Sequence, residues 1–334
     1  MDIAKLPHLI FSGNMSTPHV QGIATDGEFM YFSFTTILLK TDLAGNAVGS
    51  VNGLTGHLGC IAYSDTDRRV YGSLEYKNDS IGRGILRGLG RDEVNPDAFY
   101  IARFDVDRIT RMDMSADEVM TVVKLEDVCE DYAWSDGGLH HRHGCSGIDG
   151  MTIVPDFGGK RSLFVAYGIY SDVSRDDNDD QVLLRFDFDA LDAHFAPLTL
   201  GVQTNGIRAD ERIFVYTGNT NFGIQNLEYD ADTNCIYAAV YCGKKPQFPN
   251  YPMYCIDLSR PFEENGKHRL PLAERGELHE PTEIRGIRFP HGSTGMISLG
   301  GGYWYFSENG STPDRKQYSN VRLYRRDGDS FSAV

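Results

Sequence analysis

Apolar residues alternate with polar or small ones in short runs that end at aspartate or glycine. The same plan returns five times: QGIATDGEFMYFSF from Gln21, GCIAYSDTDRRVYGSLEY from Gly59, DGMTIVPDFGGKRSLFVAY from Asp149, QNLEYDADTNCIYAAVY from Gln225 and TGMISLGGGYWYFSENG from Thr294. Period-two alternation bounded by turn residues predicts a β-hairpin in each. A further alternating run follows every hairpin: TILLKTDLAG, AFYIARFDVD, QVLLRFDFDA, YPMYCIDLSR and NVRLYRRDG. Antiparallel units that recur as units predict radial blades rather than a sandwich. The expectation is an all-β chain forming a five-bladed β-propeller, one domain over residues 1–334. Its blades run over about 15–55, 56–140, 141–220, 221–287 and 288–334, the last completed by residues 5–14.

Ring closure has its own signal. LIFSGN, Leu9 to Asn14, resembles FVYTGN, Phe214 to Asn219, and the second copy stands where the outermost strand of a blade belongs. By the same position the N-terminal strand should pair with NVRLYRRDG and remove an open edge. No helical period longer than about two turns stands out. The nearest is DEVMTVVKLEDV, which is expected to be strand.

Composition narrows the function classes. With 41% hydrophobic residues, 36 glycines, 18 Tyr and 18 Phe, the chain can build a large β-rich core. A net charge of -15 argues against nucleic acid or an anionic membrane as partner, since both need clustered Lys and Arg. The opening MDIAKLPHLIFSGN lacks a secretory leader, so a cytoplasmic location is expected. Cys60, Cys235 and Cys255 lie in apolar strand-like runs without a CxxC pair and read as reduced core thiols.

Candidate chemistry gathers where inner strands begin. The chain reads His19-Val-Gln-Gly-Ile, His57-Leu-Gly-Cys-Ile, His143-Gly-Cys-Ser-Gly-Ile, Asn221-Phe-Gly-Ile and His291-Gly-Ser-Thr-Gly-Met. Inner strands line a propeller's channel, so His19, His57, His143 and His291 are expected to converge on its axis. There they would bind a divalent cation, with Mn, Fe, Zn and Ca all open. His140 and His141 fall in an insertion and are expected at the rim. The acidic run Arg175 to Gln181 lacks the spacing of a calcium loop and reads as a solvated turn.

Long tips between second and third strands should ring the same mouth. They carry Glu75, Lys77, Asn78, Tyr170, Tyr241, Lys244 and Glu308, and Arg142, Arg285 and Arg288 stand beside the histidines. Such a mouth favours an anionic small molecule or oligosaccharide.

Blades with axial histidines resemble the propeller-fold carbohydrate-active enzymes: the five-bladed glycoside hydrolases and the larger propeller polysaccharide lyases. The resemblance covers architecture over nearly the whole chain and includes no quotable family signature. It implies an enzyme acting on a uronate-containing oligosaccharide by metal-assisted β-elimination. His143, Tyr170, Arg142 and Arg288 would be the catalytic groups, and Lys77, Asn78, Asn221, Tyr241, Lys244 and Arg285 would hold substrate. The five-bladed hydrolases place carboxylates where this chain has histidines, so hydrolysis would fall to Glu75 and Glu308. A multi-histidine oxidoreductase or isomerase and a non-catalytic binding propeller stay open.

Overall fold

The computed structural model describes residues 5–334, and these form five blades around a central channel. Each blade begins on the axis with an inner strand: Val20–Thr25, His57–Ser64, Cys145–Phe157, Thr220–Asp230 and Met296–Gly300. The second and third strands follow antiparallel and outward, as Arg69–Tyr76 and Ala98–Asp105 do in blade 2. Blade 4 is the narrowest. Beyond Met253–Asp257 its outer edge has only isolated bridges, Ile256 to Leu272 and Met253 to Ile287.

Side chains alternate across each strand, so both faces of a blade are apolar and must pack on their neighbours. Five apolar clusters result, each sandwiched between two adjacent blades. Trp304 and Phe306 of blade 5 meet Tyr237 of blade 4, and Ile23 and Phe32 of blade 1 meet Ile297 and Tyr305 of blade 5. This fifth interface closes the circle.

Closure takes the expected form. Leu9–Phe11 pairs antiparallel with Gln317–Asp327, Ile10 standing opposite Val321. Ile10 is fully buried in the cluster between blades 5 and 1. The C-terminal strand Ser330–Ala333 pairs with the other end of Gln317–Asp327, so the two termini share one outer position.

Two local readings change. DEVMTVVKLEDV is strand only in its middle, Met120–Leu125, between helical turns Ala116–Val119 and Glu126–Ala133. The tip after Glu75 contains a helix, Ser80–Gly88, hidden in the sequence by three glycines that lower helix propensity. Burial of Ile85 and Leu86 holds it down, and Asp79 caps it by accepting from the N–H groups of Ile81 and Gly82. Gly82 is required by closeness, since a Cβ there would lie 1.8 Å from the Lys77 carbonyl oxygen. The helix is thereby seated beside the channel mouth.

Candidate active site

The inner and second strands of blades 1 to 4 and the turns at their ends deliver polar side chains to one cavity of about 270 Å³ at the channel mouth. His19 and Gln21 come from blade 1, His57, Glu75 and Lys77 from blade 2, Ser146 and Asp149 from blade 3, and Gln225 and Tyr241 from blade 4. Ile81 of the capped helix forms part of the wall.

Glu75 lies near the end of the strand Arg69–Tyr76, and Lys77, the residue just beyond it, is two positions on and turns to the same side. Both are buried, with Lys77 Nζ 2.5 Å from Glu75 Oε1 and donating to the Ser146 carbonyl at 2.7 Å. Glu75 Oε2 also accepts from the N–H of Ile148 at 3.1 Å. That N–H belongs to the residue before Asp149, so the two carboxyls share one cluster. Glycines hollow out the space for them. A Cβ on Gly147 would lie 2.0 Å from Glu75 Oε2, and one on Gly59 would lie 2.2 Å from Asp149 Oδ1.

Burial, then the charge of Glu75, pushes the Asp149 carboxyl well above its ordinary range. Burial also raises Glu75, but the touching Lys77 ammonium and the Ile148 N–H favour its charged form. For Lys77, burial opposes the charge while Glu75 and Asp79 outweigh it, so its pKa is raised. Lys77 touches Glu75 and favours its charged form, whereas burial and the neighbouring Glu75 both favour the proton on Asp149. Burial, then Lys77, lowers His57 to about 3, so its imidazole is neutral. Its Nδ1 is buried without a hydrogen-bond partner, 3.6 Å from Glu75 Oε1. Tyr241 is pushed up to about 12 by burial, with Asp149 adding to it.

The four histidines do not converge. His19 and His57 line the cavity, whereas His143 sets its ring edge against Phe214 of blade 3's outer strand, centroids 5.2 Å apart. His291 packs on Phe289 and Tyr324 in the interface of blades 4 and 5. Their spacing explains the split. His19 and His57 stand four residues before Ile23 and Ile61, but His143 and His291 stand five before Ile148 and Met296. One extra residue changes the face, and positive-φ glycines at 144, 147, 292 and 295 take up the turn. Among the described residues no group of three or more His, Cys, Asp or Glu side chains is placed to hold a metal, so the expected ligand set does not fit a divalent cation.

Other expected groups lie outside the cavity. Arg142 pairs with Asp131 at 3.3 Å, and Arg288 with Glu277 at 2.8 Å. Glu308 accepts from Arg322 and Tyr324 within blade 5 and does not line the cavity that holds Glu75. Asn78 bonds the Asn95 carbonyl, and Arg285 faces the Gly276 carbonyl on the outside of blade 4. Asn221 and Lys244 do not line the cavity either. Tyr170 is close by, donating to the helix cap Asp79 at 3.2 Å. His140 is exposed, and His141 Nδ1 meets the Tyr132 carbonyl at 2.6 Å. The acidic run is more ordered than a solvated turn: buried Lys245 binds Asn178 at 2.9 Å, Asp179 at 2.5 Å and the Arg175 carbonyl.

Asp149, Gln21, Gln225 and Ser146 are site residues that sequence reasoning passed over. The signal for Asp149 was a carboxylate between glycines inside an otherwise apolar inner strand, Gly-Ile-Asp-Gly-Met.

No protein-family model and no curated protein sequence matches the chain. Among solved structures, it is similar to a GH43 β-1,3-galactosidase determined with galactodeoxynojirimycin. That likeness has 11% identity and a TM-score of 0.44, covering 96% of this chain and 94% of the other.

Proposed function

We propose that this propeller is a carbohydrate-active enzyme that hydrolyses a glycosidic bond in its axial cavity. The observation that carries the reading is the pair of buried carboxyls at one cavity, Glu75 in contact with the Lys77 ammonium and Asp149 pushed well above its ordinary range by burial and then by Glu75. Glycoside hydrolysis asks for one carboxylic acid to protonate the leaving oxygen and one carboxylate to stabilise the cationic sugar and assist water. Asp149 fits the first role and Glu75 the second. Gln21, His19, Gln225 and Tyr241 line the cavity and would bind sugar hydroxyls.

Elimination from a uronate asks for a cation facing the substrate carboxylate. Lys77 is already engaged by Glu75 and Ser146, and Arg142 and Arg288 are paired elsewhere. Hydrolysis therefore uses the groups present better than elimination does. The test is incubation with a panel of neutral and uronate-bearing aryl glycosides and oligosaccharides in isotopically labelled water. Hydrolysis places one labelled oxygen on the product sugar, whereas elimination leaves an unsaturated product absorbing in the near ultraviolet. Glu75→Gln is expected to lower kcat by about 10²- to 10⁴-fold. Unchanged turnover in Glu75→Gln would remove the basis for this assignment.

A further inference from the structure

The axial cavity is a dead end. Below it, Asn226 Nδ2 donates to the carbonyls of Gln21 at 2.8 Å and Ser293 at 3.0 Å, tying blade 4 to blades 1 and 5. Ser33 Oγ likewise bridges to the Gly59 carbonyl at 2.6 Å, joining blades 1 and 2. The opposite mouth holds a separate cavity of about 190 Å³, lined by later inner-strand residues such as Ile23, Ile61 and Glu228. It shares no lining residue with the first.

On its open side the axial cavity continues into a groove of about 1070 Å³. His19, Gln21, His57 and Ile81 line both spaces, so they mark the junction. One groove wall is blade 1, through Thr35, Thr36 and Leu54, and the other is the helix Ser80–Gly88. Pockets that enclose drug-sized ligands span about 300–1,000 Å³. The axial cavity falls below that range and suits a single sugar ring, while the groove reaches its top and suits several. Hydroxyl and amide side chains in the groove match a polyhydroxylated ligand. Its lining has no carboxylate and one arginine, Arg315, so the occupant is neutral or acidic rather than basic. At the junction stands His57, a residue only 8% exposed, whose Nδ1 is turned to Glu75 Oε1 at 3.6 Å.

We infer that the groove binds the leaving portion of an oligosaccharide and that the enzyme removes one terminal sugar at a time. This rests on the hydrolase reading. The bond broken is the C–O bond between the sugar in the cavity and the first sugar in the groove. Water supplies the hydroxyl to the released sugar and a proton, by way of Asp149, to the leaving oxygen. His19, Gln21 and His57, which line both spaces, flank that bond.

Gly84 and Gly88 allow a direct test. Both line the groove. A Cβ on Gly88 meets nothing within 4 Å, and one on Gly84 meets only the tip of Arg87 at 3.9 Å, so Gly84→Trp and Gly88→Trp should fill the groove without straining the helix. With the best glycoside of the panel, the ratio of KM for the tetrasaccharide to KM for the matching aryl monoglycoside should rise at least tenfold (about 1.4 kcal/mol) in either variant. Early products from an end-labelled tetrasaccharide should be the monosaccharide and the trisaccharide. An unchanged KM ratio, or early products cut at internal positions, would overturn the inference. Binding is read separately by calorimetry on Asp149→Asn, using xylo-, galacto-, cello- and galacturono-tetraoses against their monosaccharides. At least one tetraose should bind tenfold more tightly than its monosaccharide, and Gly84→Trp should erase the difference. Failure of every tetraose to bind better than its monosaccharide overturns the groove; preferential tetraose binding without turnover by the wild type overturns only the hydrolase reading.

Discussion

His57 is neutral in the fold because burial and Lys77 depress its pKa to about 3, far below the ordinary 6.5. The unfolded chain therefore binds this proton first as pH falls. The contribution of His57 is fully present above about pH 6.5 and is lost as pH drops towards 3, at up to about 1.4 kcal/mol per pH unit for one proton. His143, lowered to about 4 by burial and then Arg212, acts with the same sign. Glu75 and Asp149, both raised, act with the opposite sign and lose their contribution as pH rises. Comparing His57→Gln with wild type isolates one term. Its Tm should fall less steeply than the wild type's between pH 6.5 and 4, and parallel profiles would refute the buried neutral imidazole. Asp149→Asn removes a carboxyl whose ionisation the fold opposes, so its stability at pH 8 relative to wild type should exceed that at pH 4, even as activity falls. Denaturant titrations at the two pH values check this.

At this scale the sequence was only half legible. His57, Glu75, Lys77 and Tyr241 could be placed because strand alternation and the repeat put them at the mouth. His143 and His291 could not, because one residue in the spacing reverses a side chain's face and a positive-φ glycine hides the reversal. Asp149 escaped notice because the hollow that receives it is made by Gly59 in the neighbouring blade, a relation no local pattern carries.

Among elements, strands announced themselves and the helix did not. The strands were legible because a two-residue period with Asp or Gly turns has few other solutions. Ser80–Gly88 carries Gly82, Gly84 and Gly88 and is held by packing and its cap rather than by propensity. Asp79 also meets Tyr170 and lies 3.8 Å from Lys77, so the cap joins the helix to the cavity's charge cluster. Asp79→Ala should cost about 1 kcal/mol of local stability. Hydrogen exchange should then quicken across residues 80–88 while amides in the blade cores keep their protection. Unchanged exchange in the helix would mean that the cap does not hold it.

For the molecule as a whole, the repeat was sufficient to number the blades and to find the closing strand, since both follow from pattern and from the need to cover an edge. Ile10 is the point where closure becomes measurable. Its side chain is fully buried between blades 5 and 1, and Ile10→Ala should remove about 2–5 kcal/mol by opening a cavity there. A denaturation midpoint within error of the wild type would place ring stability elsewhere. The ring matters to the proposed function because it brings Glu75 of blade 2 and Asp149 of blade 3 to one cavity.

That arrangement is tested most directly by the leaving-group dependence of Asp149→Asn. A series of aryl glycosides of one sugar, differing only in the acidity of the departing phenol, is compared between wild type and variant. If Asp149 protonates the leaving oxygen, kcat should fall by about 10²- to 10⁴-fold for the least acidic phenols and far less for the most acidic, which depart without help. An equal loss across the whole series, or no loss, would contradict the account.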